Sequence, residues 1–435
     1  MAIANVGKSG ATISASTSTS NTSAMAMVTT LFFMWGFVTC LNDILIPHLK
    51  AIFDLNYAEV MLVQFAFFSG YFVFALPAGK IIDFIGYKRS MVAGLLTMAV
   101  GAVLFLPAAS VPAFTFFLAA LIIVAAGMTV LQVSANPYVS VLGLPETASS
   151  RLNLTQAFNS LGTTIAPYFG SMLILSSAPK SAAETRQMAP DVLQAYRLHE
   201  ASSVKLPYLV IALVLVALAV IIALYKLPVL STIEDTSELA DPNTKAGMSV
   251  WKHRNLVFGI IGIFVYVGAE VAIGSFLVNY FTQPYIGGMS EKQAAGYVSF
   301  YWGAAMVGRF IGSAVLQKLR AGSVLGGVAI VACLLVTASM LTFGSLAMWS
   351  IIAVGLFNSV MFPSIFTLGI AGLGPLTSKG SGLLVAAIVG GAIIPVVQGA
   401  IADRIGIHHA FILPVLCYLY IAFYGFRGSK QLQTA

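Results

Sequence analysis

Apolar side chains fall in long blocks along this chain, and the blocks recur at a regular pitch. They cover residues near 25–46, 60–79, 89–108, 112–142, 152–177 and 206–226, and resume near 255–281, 293–317, 322–343, 346–371, 380–402 and 408–427. Each approaches the roughly 20 residues that a helix needs to cross the hydrocarbon core of a bilayer. A backbone in lipid satisfies its own polar groups as a helix or a closed barrel, and blocks of this length predict helices. The expected fold is an all-α membrane protein with twelve transmembrane helices in two pseudo-symmetric six-helix bundles, 24–226 and 255–428. Between them, residues 227–254 carry Glu234, Asp235, Glu238 and Asp241 with Pro228 and Pro242, and read as a soluble linker. Residues 1–23, rich in Ser, Thr and Ala, read as a disordered tail, and 429–435 as a second, short tail.

Composition agrees with lipid as the main solvent. Of the 435 residues, 59% are hydrophobic and only 9% are charged, against roughly 25% charged in soluble domains. The net charge of +7 does not indicate nucleic acid, because the basic residues are scattered among short loops. With both termini placed inside, fourteen of the 22 Lys and Arg residues fall on the cytoplasmic side and seven outside, with Arg309 left within a span. That bias is the one expected of cytoplasmic loops. Cys40, Cys333 and Cys417 lie within apolar blocks and match no metal spacing, so they read as small buried hydrophobes.

The two six-helix groups share punctuation. Gly162 precedes Pro167 in span 5 by the same interval that separates Gly390 from Pro395 in span 11. Pro137 of span 4 is matched by Pro363 of span 10. Equivalent placement in each half is the pattern of duplicated transporter halves, although Gly and Pro are common in membrane helices in any case.

Charged and amide side chains within spans mark the candidate chemistry, since a charge in a span is costly and usually serves a pathway or a pair. Asp43 lies after Trp35, Thr39 and Asn42 on the outer half of span 1, and is read as the cation-coupling carboxylate; the alternative is a helix-capping interfacial acid. Glu270 shares a helix face with Tyr266 and Gly274, which suits either a cavity-lining carboxylate or a salt bridge to Arg309. Arg309, near the inner end of span 8, is read as structural or gating. Gln132 and Asn136 are spaced i,i+4 on span 4, and Gln156 and Asn159 i,i+3 on span 5. Two adjacent helices would thus offer four amides, which both donate and accept, to a ring of hydroxyls; helix–helix hydrogen bonding is the rival use. Asn136, beside Pro137, is expected to cap freed backbone. Trp35 and Trp302 lie within spans and are candidates to stack on the apolar face of a small ring-shaped ligand.

The loop after span 2 holds Gly79, Asp83, Gly86, Lys88 and Arg89 as Gly-x-x-x-Asp-x-x-Gly followed by basic residues. It resembles the signature loop of the major facilitator superfamily, which implies gating roles for Asp83, Lys88 and Arg89. A narrower likeness runs through Asn42 and Asp43, through Ser134, Asn136 and Pro137, and through Arg151, Gln156 and Asn159, then on to Tyr266, Arg309 and Phe366. These are similar to bacterial fucose permeases, and residues 32–50 look most like the glucose/galactose branch of that family. The resemblance implies a hexose–cation symporter in a bacterial inner membrane, using H+ or Na+. It implies an acidic pair in spans 1 and 4. The first carries over onto Asp43, but Gln132 stands where the second is expected, and Glu270 falls where the family has an uncharged amide. The resulting expectation places Asn42, Gln132, Gln156, Asn159, Glu270, Trp35 and Trp302 around the sugar. A monomer in the lipid bilayer is expected, with no nucleic acid partner and no cofactor. Two rival readings are an exporter of drugs on the same fold, which calls for aromatics and acids rather than amides, and an intramembrane enzyme. The enzyme is disfavoured because the five histidines show no ligand spacing, and no nucleotide-binding loop of the Walker type is present.

Overall fold

The computed structural model describes residues 22–39, 57–110, 114–173, 187–203, 205–228 and 249–430, and these are helical apart from short turns. In chain order the membrane helices are α1 (Thr22–Thr39), α2 and α3 (57–85 and 87–110), α4 (Phe114–Val141), α5 (Ala148–Leu173), α6 (Lys205–Leu224), α7 (Arg254–Phe281), α8 (Glu291–Val315), α9 (Ala321–Leu341), α10 (Gly344–Ile370), α11 (Gly374–Ile405) and α12 (Ile407–Gly428). A short helix, Pro190–Ser203, precedes α6. Asn42, Asp43 and the acidic stretch of the linker lie outside the described residues.

Among the described residues nine helices are long and apolar enough to cross a membrane, where the apolar blocks predict twelve spans. Two physical causes account for the difference. The stretch Tyr57–Ser110 spans 54 residues, and Gly86 inside it, with φ 77° and ψ 169°, leaves the helical conformation and divides it into two helices. A straight helix of that length would measure about 80 Å, more than twice a bilayer core. Gly86 turns it back, in a conformation open to glycine and strained for other residues, so one continuous run holds α2 and α3. The second cause is polarity. α5 and α8 are full-length helices of 26 and 25 residues that fall short of the apolar threshold. They carry Gln156 and Asn159, and Arg309.

Two later helices are interrupted at mid-membrane. α10 breaks near Ser359–Val360, just before Pro363. α11 passes through a 3₁₀ turn over Ala387–Val389 between two α-helical segments. Irregular backbone at membrane depth persists where it is buried in protein or borders a cavity, and both breaks face the cavity described below.

The Gly–Pro repetition has a packing meaning. A Cβ added to Gly162 on α5 would strike the Phe33 carbonyl of α1, and one added to Gly390 on α11 would strike the Phe264 carbonyl of α7. Equivalent helices in the two groups therefore meet at backbone contact through equivalent glycines, the small-residue packing favoured between membrane helices. The lipid-facing surface is apolar, with Leu206, Leu213, Leu224 and Leu334 among its exposed side chains.

At the face predicted to be cytoplasmic, called the inner face here, α1–α6 and α7–α12 are joined by hydrogen bonds. Ser378 Oγ donates to Asp83 Oδ1. Ser381 Oγ donates to the Val133 carbonyl at 2.9 Å, Ser150 Oγ to the Ser313 carbonyl at 2.7 Å, and Asn153 Nδ2 to the Arg309 carbonyl at 2.6 Å. The inner face is thus closed.

Candidate functional site

Above that closed face a cavity of about 150 Å³ lies between the two helix groups. α1, α4 and α5 contribute Trp35, Gln132 and Gln156; α7 contributes Tyr266, Val267 and Glu270. α8 adds Arg309, and the interrupted α10 and α11 add Phe362, Pro363 and Ile388. Apolar cavities of about this volume hold a single six-membered ring, whereas drug-sized ligands occupy about 300–1,000 Å³.

The polar lining is held in place by neighbours. Gln132 is only 2% exposed. Its Nε2 donates to the Tyr71 hydroxyl at 2.9 Å, and that hydroxyl donates to Met128 Sδ at 3.2 Å. This fixes the amide and leaves Gln132 Oε1 buried without a partner. Buried polar atoms are nearly always hydrogen-bonded, so an orphaned acceptor at a cavity wall is positioned for a ligand donor. Across the cavity the Tyr266 hydroxyl donates to Glu270 Oε1 at 2.8 Å. Arg309 Nη2 stands 3.9 Å from that oxygen, the one ion pair among the described residues. Arg309 Nη1 donates to Ser160 Oγ of α5, and Arg309 Nε is buried without a partner. Behind this layer Tyr418 donates to Asn358 Oδ1 and Asn358 Nδ2 to the Tyr301 hydroxyl, each at 2.8 Å, while the Tyr301 hydroxyl faces the Glu270 carbonyl at 3.4 Å. The chain Tyr418–Asn358–Tyr301 braces α7, α8, α10 and α12 against one another.

Trp35 reaches the cavity from α1, tilted against Phe32 with ring centroids 5.5 Å apart. With Phe362 opposite, the cavity combines aromatic faces with amides and one ion pair. That set can stack on a ring's C–H face while exchanging hydrogen bonds with its hydroxyls.

The sequence-predicted residues divide. Trp35, Gln132, Gln156, Glu270 and Arg309 meet at the cavity. Asn159 does not line it; its Nδ2 donates to the Phe32 carbonyl at 2.9 Å, tying α5 to α1. Asn136 is fully buried but caps nothing, since neither atom of its amide has a partner. It sits one turn inward of Gln132, where the two groups are packed shut. Trp302 is 45% exposed, edge-on to Tyr301 at 5.1 Å, and packs against Gly274 outside the cavity. Asn42 and Asp43 lie outside the described residues. Of the gate candidates, Asp83 meets Ser378 in the first turn of the helix Thr377–Ala386, where the helix dipole favours an anion. Lys88 Nζ donates to the Ala223 carbonyl at the end of α6, at 2.9 Å, and Arg89 is exposed.

Sequence reasoning missed Tyr71, Ser160, Phe362 and Ile388. Ser160 had a readable signal, standing four residues after Gln156 and hence on its face. Phe362 and Ile388 had none, because their position depends on breaks in α10 and α11.

The chain matches the Major Facilitator Superfamily across residues 24–385. It is 54% identical over 408 residues to a glucose/galactose transporter of Brucella abortus, covering 94% of each chain. It is 35% identical over 412 residues to the L-fucose-proton symporter of Escherichia coli, covering 94% of this chain and 93% of that one. A crystal structure of the major facilitator transporter FucP in the outward conformation superposes with a TM-score of 0.88 at 34% identity, over 95% of this chain and all of that one. The helix order, the glycine-matched halves and the central cavity agree with these matches, and the chain belongs to the major facilitator superfamily, within its fucose permease-like branch.

Proposed function

We propose that this chain imports a hexose, glucose or galactose, together with a proton across a bacterial inner membrane. One observation carries the reading: a ring-sized cavity between the two helix groups, lined by Gln132, Gln156, Glu270 and Arg309 with Trp35 and Phe362. Similarity to a glucose/galactose transporter and to an L-fucose-proton symporter supports the substrate class and the ion. The volume favours a monosaccharide over the larger cargo of a drug exporter.

In this reading Gln132 Oε1, Gln156 and the Glu270 carboxylate hold hydroxyls, Asn42 assists from span 1, and Trp35 covers the ring's apolar face. Asp43 carries the coupling proton. The bundles 24–226 and 255–428, joined by the linker 227–254, rock about the cavity with both termini in the cytoplasm. The closed inner face makes this an outward-facing or occluded stage of that cycle, and the monomer is the working unit.

The test is uptake of labelled glucose and galactose into proteoliposomes under an imposed proton gradient, an imposed sodium gradient, or neither. Proton-driven accumulation is expected, and Asp43→Asn abolishes it while leaving exchange of labelled for unlabelled sugar. Accumulation driven by sodium alone reassigns the ion. No uptake or exchange of either hexose overturns the reading.

A further inference from the structure

The lining of the cavity is repeated one helical turn toward the inner face. On α4, Gln132 is followed four residues on by Asn136; on α5, which runs the other way, Gln156 is preceded three residues back by Asn153. Both spacings keep the two side chains on one helix face. On α10, Phe362 is followed by Phe366, the two rings stacked with centroids 6.0 Å apart. Two amides and an aromatic ring at the cavity are thus matched by the same kinds of side chain about 5 Å further in. Asn136, Asn153 and Phe366 are all fully buried.

The contacts that shut the inner face also cover this layer. Ser381 of α11 bonds the Val133 carbonyl of α4, one turn from Asn136. Ser149 Oγ of α5 and Thr367 Oγ1 of α10 are hydrogen-bonded one turn inward of Asn153 and next to Phe366. Asn153 Nδ2 donates to the Arg309 carbonyl of α8 at 2.6 Å. Even so, the amides are not satisfied: neither polar atom of the Asn136 side chain has a partner, and Asn153 Oδ1 has none. Buried polar atoms are nearly always hydrogen-bonded, and an unpaired one costs stability. Packing alone asks for apolar side chains at these positions. The chain instead keeps amides there, in the pattern of the cavity above.

Resting on the hexose-transport reading above, we infer that Asn136, Asn153 and Phe366 form a release subsite for the sugar, shut in this structure and uncovered when the inner face opens. Opening parts α4 and α5 from α8, α10 and α11. It breaks the bond from Asn153 to the Arg309 carbonyl and turns both asparagine amides toward the path. The hexose then moves one turn inward, from Gln132 and Gln156 to Asn136 and Asn153, while its apolar face passes from Phe362 to Phe366. An amide both donates and accepts, so the hydroxyls exchange like partners for like. Neither the sugar nor the protein is left with unpaired groups in a narrow passage, which is the costly state.

The experiment uses the full chain in everted membrane vesicles, which present the inner face to the medium. It reads the glucose concentration that half-saturates exchange from that face, with equal pH on both sides. Asn136→Ala and Asn153→Ala act oppositely on the closed face: the first removes an unpaired amide and favours closing, the second removes a bond of the seam and favours opening. If the asparagines only set that balance, half-saturation rises in Asn136→Ala and falls in Asn153→Ala, because apparent affinity follows the population of the binding-competent form. If they hold the sugar, it rises in both, by about three- to tenfold for one lost hydrogen bond. A rise in both is the expected result. Opposite shifts, a rise in one variant alone, or no shift in either overturns the inference and leaves the hexose reading standing. If wild type exchanges neither glucose nor galactose, the hexose reading itself has failed.

Discussion

At the scale of single residues, the cavity is defined by what each polar atom lacks. Gln132 is locked by Tyr71 through its nitrogen and offers a bare oxygen, whereas Asn159 has closed its bond onto the Phe32 carbonyl. Both were legible as amides on helix faces. Which one meets the cavity was not, because a few tens of degrees of helix rotation decide between a ligand and a neighbouring carbonyl. On the proposed function Gln132→Ala removes one hydrogen bond to the sugar, worth about 0.5–1.5 kcal/mol. The expected outcome is a hexose dissociation constant raised about three- to tenfold, measured by equilibrium binding to protein in detergent. Tyr71→Phe releases the amide without removing it and is expected to give a smaller rise in the same assay.

At the scale of helices, the apolar blocks located the spans because the bilayer filters composition over about 20 residues. They did not reveal the 3₁₀ turn Ala387–Val389 or the break before Pro363, which arise from packing between helices rather than from composition. The glycine contacts stand between these cases. Matched spacing announced that Gly162 and Gly390 had a common purpose, and the structure identifies it as backbone contact with Phe33 and Phe264. Gly390→Val drives methyl groups into that carbonyl, and overpacking of this kind costs about 1–3 kcal/mol. A thermal unfolding midpoint lowered by several degrees in detergent is expected. Gly303→Ala is the control, since an added Cβ there meets nothing within 4 Å, and its midpoint is expected to match or exceed wild type.

At the scale of the whole molecule, the inner face is a seam of short hydrogen bonds between α1–α6 and α7–α12. The signature loop disclosed one side of it: Asp83, the acid of that loop, meets Ser378 in the first turn of a helix. The partners Ser150, Ser313 and Ser381 were invisible beforehand, because serine in a span has many uses. Ser378→Ala removes a hydrogen bond to a carboxylate that is partly exposed, so its worth is reduced by solvent. The inner face is expected to open more often. With Cys40, Cys333 and Cys417 replaced and a single thiol introduced at Ser381, labelling from the inner side should quicken by about three- to tenfold. The unusual polarity of α5 and α8 has a consequence for how the chain is made. A ribosome delivering these segments in order presents a translocon with two that partition poorly into lipid alone. Each is expected to enter the bilayer alongside hydrophobic companions already synthesised or just emerging, so the polar residues that line the cavity also weigh on how the spans are assembled.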